Sequence, residues 1–295
     1  MIAFHTLDVF TETPFAGNPL AVVLEAGALS PAQMQTIAGE FNLSETIFVM
    51  GPRDPAHTAR VRIFFPTAEI PFAGHPTIGC AILLAETAQP AGDFATTITL
   101  EEEAGLVPVA VTRQGNRITA ELTAPVLPYP AGGTPDPALL AAALDLAPED
   151  LGPHSPGVHQ GGPRFLYAPL RSLDALARAR VVEPHWSRLI AAHGVDSAYL
   201  YAPGDDCDFR ARMFSPTAGI PEDPATGSAS AILAAQLLAN GALADGITRL
   251  DLHQGVEMGR PSTLHLTIEA AGGALTRVRI AGSAVRIGEG RLTPP

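Results

Sequence analysis

One glutamate stands where a carboxyl group could act as a general acid or base. Glu45 comes just before the apolar run Ile47–Met50, which is typical of a short buried strand, so its side chain is expected at the edge of a core. Burial raises the pKa of a carboxyl group toward neutrality, which proton transfer near pH 7 requires. The alternative is an exposed glutamate at the entry of a strand.

A histidine and an aspartate lie in or beside two short segments of small residues. His75 is part of Gly74–Thr77 (GHPT), and Asp223 lies just before Thr226–Ser228 (TGS). His75 could donate a hydrogen bond to a substrate carboxylate or help to move a proton, or it could be a structural histidine at a helix start. Asp223 could face a cleft or cap the helix that follows it.

Both segments are predicted to begin a long helix. A helix N-terminus presents several unpaired N–H groups and about half a positive charge, which suits a carboxylate. Gly74, Thr226, Gly227 and Ser228 are therefore candidates for binding the carboxyl group of a small substrate. The alternative is that these residues only cap their helices.

The two segments lie at matching places in an internal repeat. Residues 62–85 read RIFFPTAEIPFAGHPTIGCAILLA, and residues 212–235, 150 positions later, read RMFSPTAGIPEDPATGSASAILAA. A single repeat at half the chain length predicts two similar half-domains that face each other, whereas short periods predict solenoids. The polar residues have diverged between the copies, and Ser197 stands where the first half has Glu45.

The hydrophobic pattern predicts an α+β fold of two pseudo-symmetric half-domains, each a mostly antiparallel sheet wrapped around a central helix. Helices are predicted from Ser30-Pro31 to about Phe41, from Pro76 to near Pro90, around 185–193, and from Gly227 to about Asn240. The Pro- and Gly-rich stretch 124–137 is the best linker candidate. We predict a first half-domain over 1–125, completed by a strand over 282–295, and a second over 126–281.

Composition excludes several classes of function. A net charge of −12 argues against binding to nucleic acid or to anionic membrane surfaces. The first residues do not form a signal peptide and no apolar run could span a bilayer, so a cytoplasmic protein is expected. All 18 basic residues are arginines. Without a lysine the chain is neither a pyridoxal phosphate enzyme nor a P-loop enzyme.

No pattern predicts a metal or a cofactor. The nine histidines do not cluster, and the closest pair, His154 and His159, lacks the helical spacing of a ligand pair. Cys80 and Cys207 are expected to be structural thiols of a reduced compartment. No G-x-G-x-x-G segment follows a strand, so a dinucleotide site is unsupported.

Nearly from end to end the chain resembles the PhzF-type isomerases, which are named for phenazine biosynthesis and have the diaminopimelate-epimerase-like fold. The segments that carry the resemblance are Asp8–Phe10 (DVF), Gly17–Val22 (GNPLAV), Ser44–Thr46 (SET), Phe72–Thr77 (FAGHPT) and Glu222–Ala229 (EDPATGSA). The last two segments together are specific, whereas the GNP triplet alone would be a weak signal.

This resemblance implies a cofactor-independent enzyme with its active site in a cleft between the halves, and often a homodimer. A glutamate matching Glu45 would shuttle a proton across a dihydro-hydroxyanthranilate, and residues matching His75, Asp223 and Ser228 would line the site. Asn18, from the GNP triplet, is expected to bind substrate. Related racemases use two thiols, one per half, but neither cysteine of this chain falls at a helix start.

The leading hypothesis is therefore a cofactor-independent isomerase of a small carboxylated substrate, with Glu45 as general acid/base and His75 and Asp223 assisting. Two alternatives stay open. One is a racemase or epimerase of the same fold that uses Glu45 and Asp223 as two bases. The other is a non-catalytic protein that binds a small molecule in the same cleft.

Overall fold

The computed structural model describes residues 1–295 and divides into two compact units. The first unit comprises Met1–Thr123 and Ala281–Pro295, and the second comprises Ala124–Ile280. None of the helices combines the length and the apolar character that crossing a membrane would require.

The first unit is a largely antiparallel sheet with two helices. Its strands are β1 (Ile2–Val9), β2 (Asn18–Val23), β3 (Glu45–Met50), β4 (Ala59–Phe64), β5 (Glu69–Ile70), β6 (Phe94–Glu102), β7 (Gly105–Gln114) and β8 (Arg117–Thr123). Its helices are α1 (Pro31–Phe41) and α2 (Gly74–Ala88). Strands β2 and β3 pair in parallel, as do β4 and β6, whereas β1–β2, β3–β4, β6–β7 and β7–β8 are antiparallel.

Helix α2 is the central helix of this unit. Every residue from Gly74 to Leu83 is buried, which is the environment that a helix apolar on all sides requires. Gly79 allows the close packing, because a Cβ atom there would lie 2.6 Å from Leu20 and 2.7 Å from Val9. The helix therefore lies directly against β1 and β2, and β2 holds Asn18.

Helix α1 has the boundaries that the sequence predicts. Ser30 accepts a hydrogen bond from the backbone of Gln33, and the Gln33 side chain accepts one from the backbone of Ser30. This capping box precedes Pro31 at the first helical position, and the helix ends at Asn42 in the left-handed conformation. The prediction of a helix from Ser30-Pro31 to about Phe41 is confirmed.

The second unit is also a sheet with a long buried helix. Its strands are β9 (Tyr129–Pro130), β10 (Gly157–Gln160), β11 (Arg164–Pro169), β12 (Ala198–Pro203), β13 (Phe209–Ser215), β14 (Ile220–Asp223), β15 (Gly246–Gln254) and β16 (Ser262–Ala271). Its helices are α3 (Pro137–Ala143), α4 (Leu173–Arg178), α5 (His185–His193) and α6 (Gly227–Ala239). The last strand, β17 (Ala274–Leu292), begins in this unit and ends among the residues of the first.

Buried tyrosines attach α6 to the sheet of the second unit. The hydroxyl of Tyr167 donates to the carbonyl oxygen of Ala229 at 2.7 Å, and the hydroxyl of Tyr199 lies 3.0 Å from Oγ of Ser230. Because buried polar groups need partners, these hydrogen bonds fix where α6 lies on β11 and β12.

The stretch 124–137 is not a free linker. It belongs to the second unit, where β9 pairs with β10. Its end forms the start of α3, with Asp136 accepting a hydrogen bond from the backbone of Ala138 and Pro137 at the first helical position. Proline there favours a helix start, so the Pro-rich composition of this stretch marks the start of α3 as well as the boundary between the units.

Candidate active site

Glu45 is the first residue of β3 and is buried, with 8% of its surface exposed. The alternative of an exposed glutamate at a strand entry is therefore wrong. Parallel pairing of β3 with β2 places Glu45 opposite Leu20. The strand that carries the carboxyl group therefore lies beside the strand that carries Asn18.

His75 brings a second titratable group to this position. Its Nδ1 atom lies 3.3 Å from Oε2 of Glu45 and 3.4 Å from Nδ2 of Asn18. The ring is 3% exposed, and its Nε2 atom has no hydrogen-bond partner. Three of the residues predicted for the site therefore meet within the first unit, and one ring nitrogen is left available to a ligand.

Burial decides the charge of the histidine. It lowers the pKa of His75 to about 3, and a hydrogen bond with the backbone of Pro19 only partly opposes this effect. The imidazole is therefore neutral near pH 7, and its contact with Glu45 is not an ion pair of two charged groups. A neutral imidazole keeps one N–H donor and one acceptor, which is what a proton relay needs.

The start of α2 is not capped by a side chain. Ala73 is the N-cap residue, and its methyl side chain makes no capping hydrogen bond to the first turn, which begins at Gly74. A binding role for Gly74 and its neighbours, beyond starting the helix, stays a prediction. An uncapped helix start is suited to an anionic group.

A buried carboxyl group beneath this turn escaped the sequence analysis. The Oγ1 atom of Thr77 lies 2.7 Å from the carbonyl oxygen of Ala73 and 2.7 Å from Oε1 of Glu102. The hydroxyl has one proton to share between these two oxygens, and its hydrogen bond to Glu102 partly opposes the effect of burial on the pKa of that carboxyl group. Burial raises the pKa of Glu102 to about 8, which agrees with a neutral carboxyl group at pH 7.

A sequence signal for Glu102 did exist. Along β6 the buried positions alternate, and Ile98, Leu100 and Glu102 share the inner face whereas Glu101 does not. The run of three glutamates at 101–103 hid this alternation, because a charge run reads as a solvated loop.

In the second unit Asp223 and Thr226 form a hydrogen-bonded pair. Asp223 ends β14, Thr226 is the N-cap residue of α6, and Oγ1 of Thr226 donates to Oδ2 of Asp223 at 2.5 Å. The Thr226 side chain makes no capping hydrogen bond to the helix. Gly227 and Ser228 follow as the first residues of α6, with Gly227 buried.

Gln254 completes this group and was also missed. Its Oε1 atom accepts from the backbone of Thr226 at 3.1 Å, and its Nε2 atom donates to the carbonyl oxygen of Asp223 at 2.8 Å. Gln254 is fully buried at the end of β15, on the same face as Leu252. An amide bound on both sides holds the loop before α6 in one conformation.

The next residue of the chain lies against the same loop. Gly255 has a φ of +74°, and a Cβ atom there would lie 2.6 Å from the carbonyl oxygen of Pro224. Glycine is required at this position for both reasons. The hydroxyl of Ser262 donates to the same Pro224 oxygen at 2.9 Å.

The counterparts of the catalytic candidates differ as the repeat predicts. Ser197, at the position that matches Glu45, donates to Oγ of Ser215 at 2.7 Å. Cys80 is fully buried within α2, where desolvation raises the pKa of its thiol, and Cys207 lies in the loop before β13. Neither cysteine is at the start of α2 or α6.

Comparison with known proteins identifies a family and individual proteins that are similar to this chain. The sequence pattern of the family described as phenazine biosynthesis-like protein matches residues 7–290. The chain is 38% identical over 287 residues to a trans-2,3-dihydro-3-hydroxyanthranilate isomerase of Pseudomonas fluorescens, with 97% of both chains covered.

Solved structures agree on the fold. A phenazine biosynthesis protein of the PhzF family from Bacillus anthracis is similar with a TM-score of 0.87 and 25% identity, covering 99% of each chain. A hydroxyproline epimerase from Agrobacterium vitis, 14% identical, is similar with a TM-score of 0.65 over 99% of this chain and 90% of that chain. The predicted α+β, epimerase-like fold is confirmed.

Proposed function

The chain belongs to the phenazine biosynthesis-like protein family and is an isomerase, and we propose that it moves a proton within a small carboxylated substrate without a cofactor. The observation that carries the proposal is the buried Glu45 carboxyl group, 3.3 Å from a neutral imidazole. Relatives that act on trans-2,3-dihydro-3-hydroxyanthranilate make this compound the first substrate to test.

Glu45 acts as the single acid/base in this proposal. Its carboxylate removes a proton from one carbon, the electron pair shifts through the neighbouring double bond, and the same carboxyl group returns the proton at the far carbon. One group that both takes and returns the proton needs only one tuned pKa, whereas a racemase needs a base on each face. The neutral His75 relays the proton or hydrogen-bonds to the group that carries it. Asn18 orients the imidazole, because its Nδ2 atom lies 3.4 Å from Nδ1 of His75.

The substrate carboxylate binds to the two helix starts. The donors in this proposal are the N–H groups at Gly74 in the first unit and at Gly227 and Ser228 in the second. Thr226 and Asp223 assist by binding polar groups of the substrate. Their hydrogen bonds to each other and to Gln254 support this role, because preorganised donors and acceptors bind without reorganising.

We also expect a homodimer in the cytoplasm. Size-exclusion chromatography with light scattering tests the first expectation: a mass of twice 30.7 kDa supports it, and a monomer contradicts it.

The proposed reaction is tested by proton NMR in D2O with trans-2,3-dihydro-3-hydroxyanthranilate. Wild type is expected to consume the compound and to incorporate deuterium, and Glu45→Gln is expected to do neither. The control is Glu149→Gln, which changes an exposed glutamate of the second unit.

If wild type leaves this compound unchanged, the proposed substrate is wrong, and other small carboxylates are then screened for deuterium exchange. A ligand that binds without any exchange would favour the non-catalytic alternative. Exchange that survives in Glu45→Gln would contradict the assigned base.

A further inference from the structure

We propose that Asp206, Cys207 and His253 in the second unit bind a zinc ion or a similar divalent transition-metal ion. Each residue offers one ligand atom, a carboxylate oxygen, a thiol sulfur or a ring nitrogen, and these atoms all lie within 4.8 Å of one another. The proposal does not depend on the isomerase reaction, since all three residues are outside the groups described above.

The separation of two of these atoms fits a shared metal ion. Nδ1 of His253 is 3.5 Å from Oδ1 of Asp206. Oxygen and nitrogen ligands about 2.0–2.1 Å from a tetrahedral zinc ion lie about 3.3 Å apart. Only a small side-chain movement would therefore bring both atoms onto one ion.

The loop that carries two of the ligands is short and tied down. Residues Gly204–Asp208 (GDDCD) connect β12 to β13, and the backbone of Gly204 donates to the carbonyl oxygen of Asp208 at 3.3 Å. The backbone N–H of Asp208 donates to the carbonyl oxygen of Asp251 in β15 at 2.9 Å. The backbone N–H of Asp251 in turn donates to the carboxylate of Asp208 at 2.7 Å. These bonds fasten the loop to the strand that carries His253.

The thiol packs against the backbone of its own loop and stays partly exposed. A side chain at Gly204 would collide with Sγ of Cys207 and would lie 2.7 Å from the Cys207 carbonyl oxygen. The thiol also donates to the carbonyl oxygen of Phe209 at 3.3 Å. Glycine at 204 thus lets the loop close around the sulfur and hold it in place.

The register of β13 and β15 places the third ligand, His253, next to the loop. Parallel pairing of β13 with β15 sets Phe209 opposite Leu252 and Arg210 opposite His253. His253 therefore lies beside the end of the loop. Sequence spacing could not predict this site, because Cys207 and His253 are brought together only by pairing of distant strands.

The donor set indicates which ion would bind. Thiolate and imidazole ligands favour zinc and its transition-metal analogues over magnesium and calcium, which prefer oxygen ligands. Three protein ligands leave a fourth position for water. The side chains around the thiol are Asp206 and His253, with Arg210 held by Glu257 at 3.2 Å.

Metal binding must displace the thiol proton. A bound metal stabilises the thiolate, so binding releases a proton.

Cobalt titration of the full chain tests the proposal, because a thiolate bound to Co²⁺ absorbs in the near ultraviolet. We expect this band to saturate with one ion per chain in wild type and to be absent in Cys207→Ser. His253→Gln is expected to weaken binding at least tenfold, and His193→Gln, at the end of α5, is the matched control. Circular dichroism verifies that each variant is folded.

Alkylation provides a second readout that needs no variant. Cys80 is fully buried, so iodoacetamide should modify only Cys207 in the native chain. Zinc is expected to slow this reaction at least tenfold. The proposal is overturned if zinc leaves the rate unchanged, if the cobalt band persists without Cys207, or if His253→Gln binds as wild type does.

Discussion

The starts of α2 and α6 occupy matching stretches of the repeat, but the two units use them differently. Helix α2 begins at Gly74, whereas α6 begins at Gly227, the position that matches Thr77. In the first unit Glu45 and His75 are buried together, and a ring nitrogen of His75 has no partner. In the second unit Asp223, Thr226 and Gln254 bind one another.

This difference indicates that the two helix starts have different roles, which we call a division of labour between proton transfer and binding. A buried carboxyl group beside a neutral imidazole can exchange protons, whereas a polar group already bound on several sides is held in place. Duplication thus supplied two similar helix starts. We propose that divergence at a few polar positions made one suited to acid/base chemistry and the other to binding, and the following variants test this proposal.

Among variants that keep Glu45, replacing the imidazole should have the largest effect on the reaction. His75→Asn is expected to lower kcat about 100- to 1,000-fold, the usual contribution of a group that assists proton transfer. Steady-state kinetics with the substrate found by NMR measure this, with His193→Asn as control. Unchanged kcat with a raised KM would instead make His75 a binding residue, like those of the second unit.

Burial of the His75 ring also predicts a response to acid. Its pKa of about 3 in the folded chain lies below the usual 6.5, so the unfolded chain binds more protons between these values. The contribution of His75 to the free energy of unfolding is therefore complete above about pH 6.5 and is lost as the pH falls toward 3. Denaturant unfolding of His75→Asn should show a weaker loss in this range than wild type.

Glu102→Gln should change how stability depends on pH. The pKa of Glu102 is about 8 in the folded chain against a usual 4.5, so the folded state binds more protons between these values. Its stabilising contribution is present below about pH 4.5 and is lost as the pH rises through 8. At about 1.4 kcal/mol per pKa unit, Glu102→Gln should be more stable than wild type at pH 9 by roughly 4–5 kcal/mol.

Denaturant unfolding at pH 5 and pH 9 measures this difference. Glu103→Gln, the exposed neighbour, is the control, and it should follow wild type at both values. If Glu102→Gln changes the free energy of unfolding equally at pH 5 and at pH 9, then Glu102 is charged in the folded chain at both pH values.

Adding a methyl group to α2 should lower the stability of the protein more than removing one from the matching position of α6. Gly79→Ala is expected to cost about 1–3 kcal/mol, because its Cβ atom would overlap Leu20 and Val9. The matching residue of α6 is already an alanine, Ala229, and Ala229→Gly should cost only about 1 kcal/mol through helix propensity. Thermal unfolding compares the two, and a neutral Gly79→Ala would show that α2 does not pack this closely.

Gln254→Ala should have the smallest effect on the reaction. Loss of its bonds to Asp223 and Thr226 is expected to raise KM about tenfold, or roughly 1.4 kcal/mol of binding, with kcat nearly unchanged. A large fall in kcat would place the second unit in the chemistry and weaken the contrast.

Local signals predicted much of this molecule, but contacts between distant segments were invisible. Ser30-Pro31 and the motifs around Glu45, His75 and Asp223 carry their information in adjacent residues, so α1, the helix starts and the family were predictable. Glu102 and Gln254 depend on which strand face packs against α2 or the loop before α6. Helix α3 was missed because Pro137 serves both linkers and helix starts.

The most direct test of the division of labour is solvent deuterium exchange into the substrate, measured by NMR for Glu45→Gln and Asp223→Asn side by side. We predict that Glu45→Gln abolishes exchange and turnover together, whereas Asp223→Asn still exchanges at saturating substrate with a raised KM. Loss of exchange in both variants would contradict the account, since it would make Asp223 a second base and the enzyme a two-base racemase or epimerase.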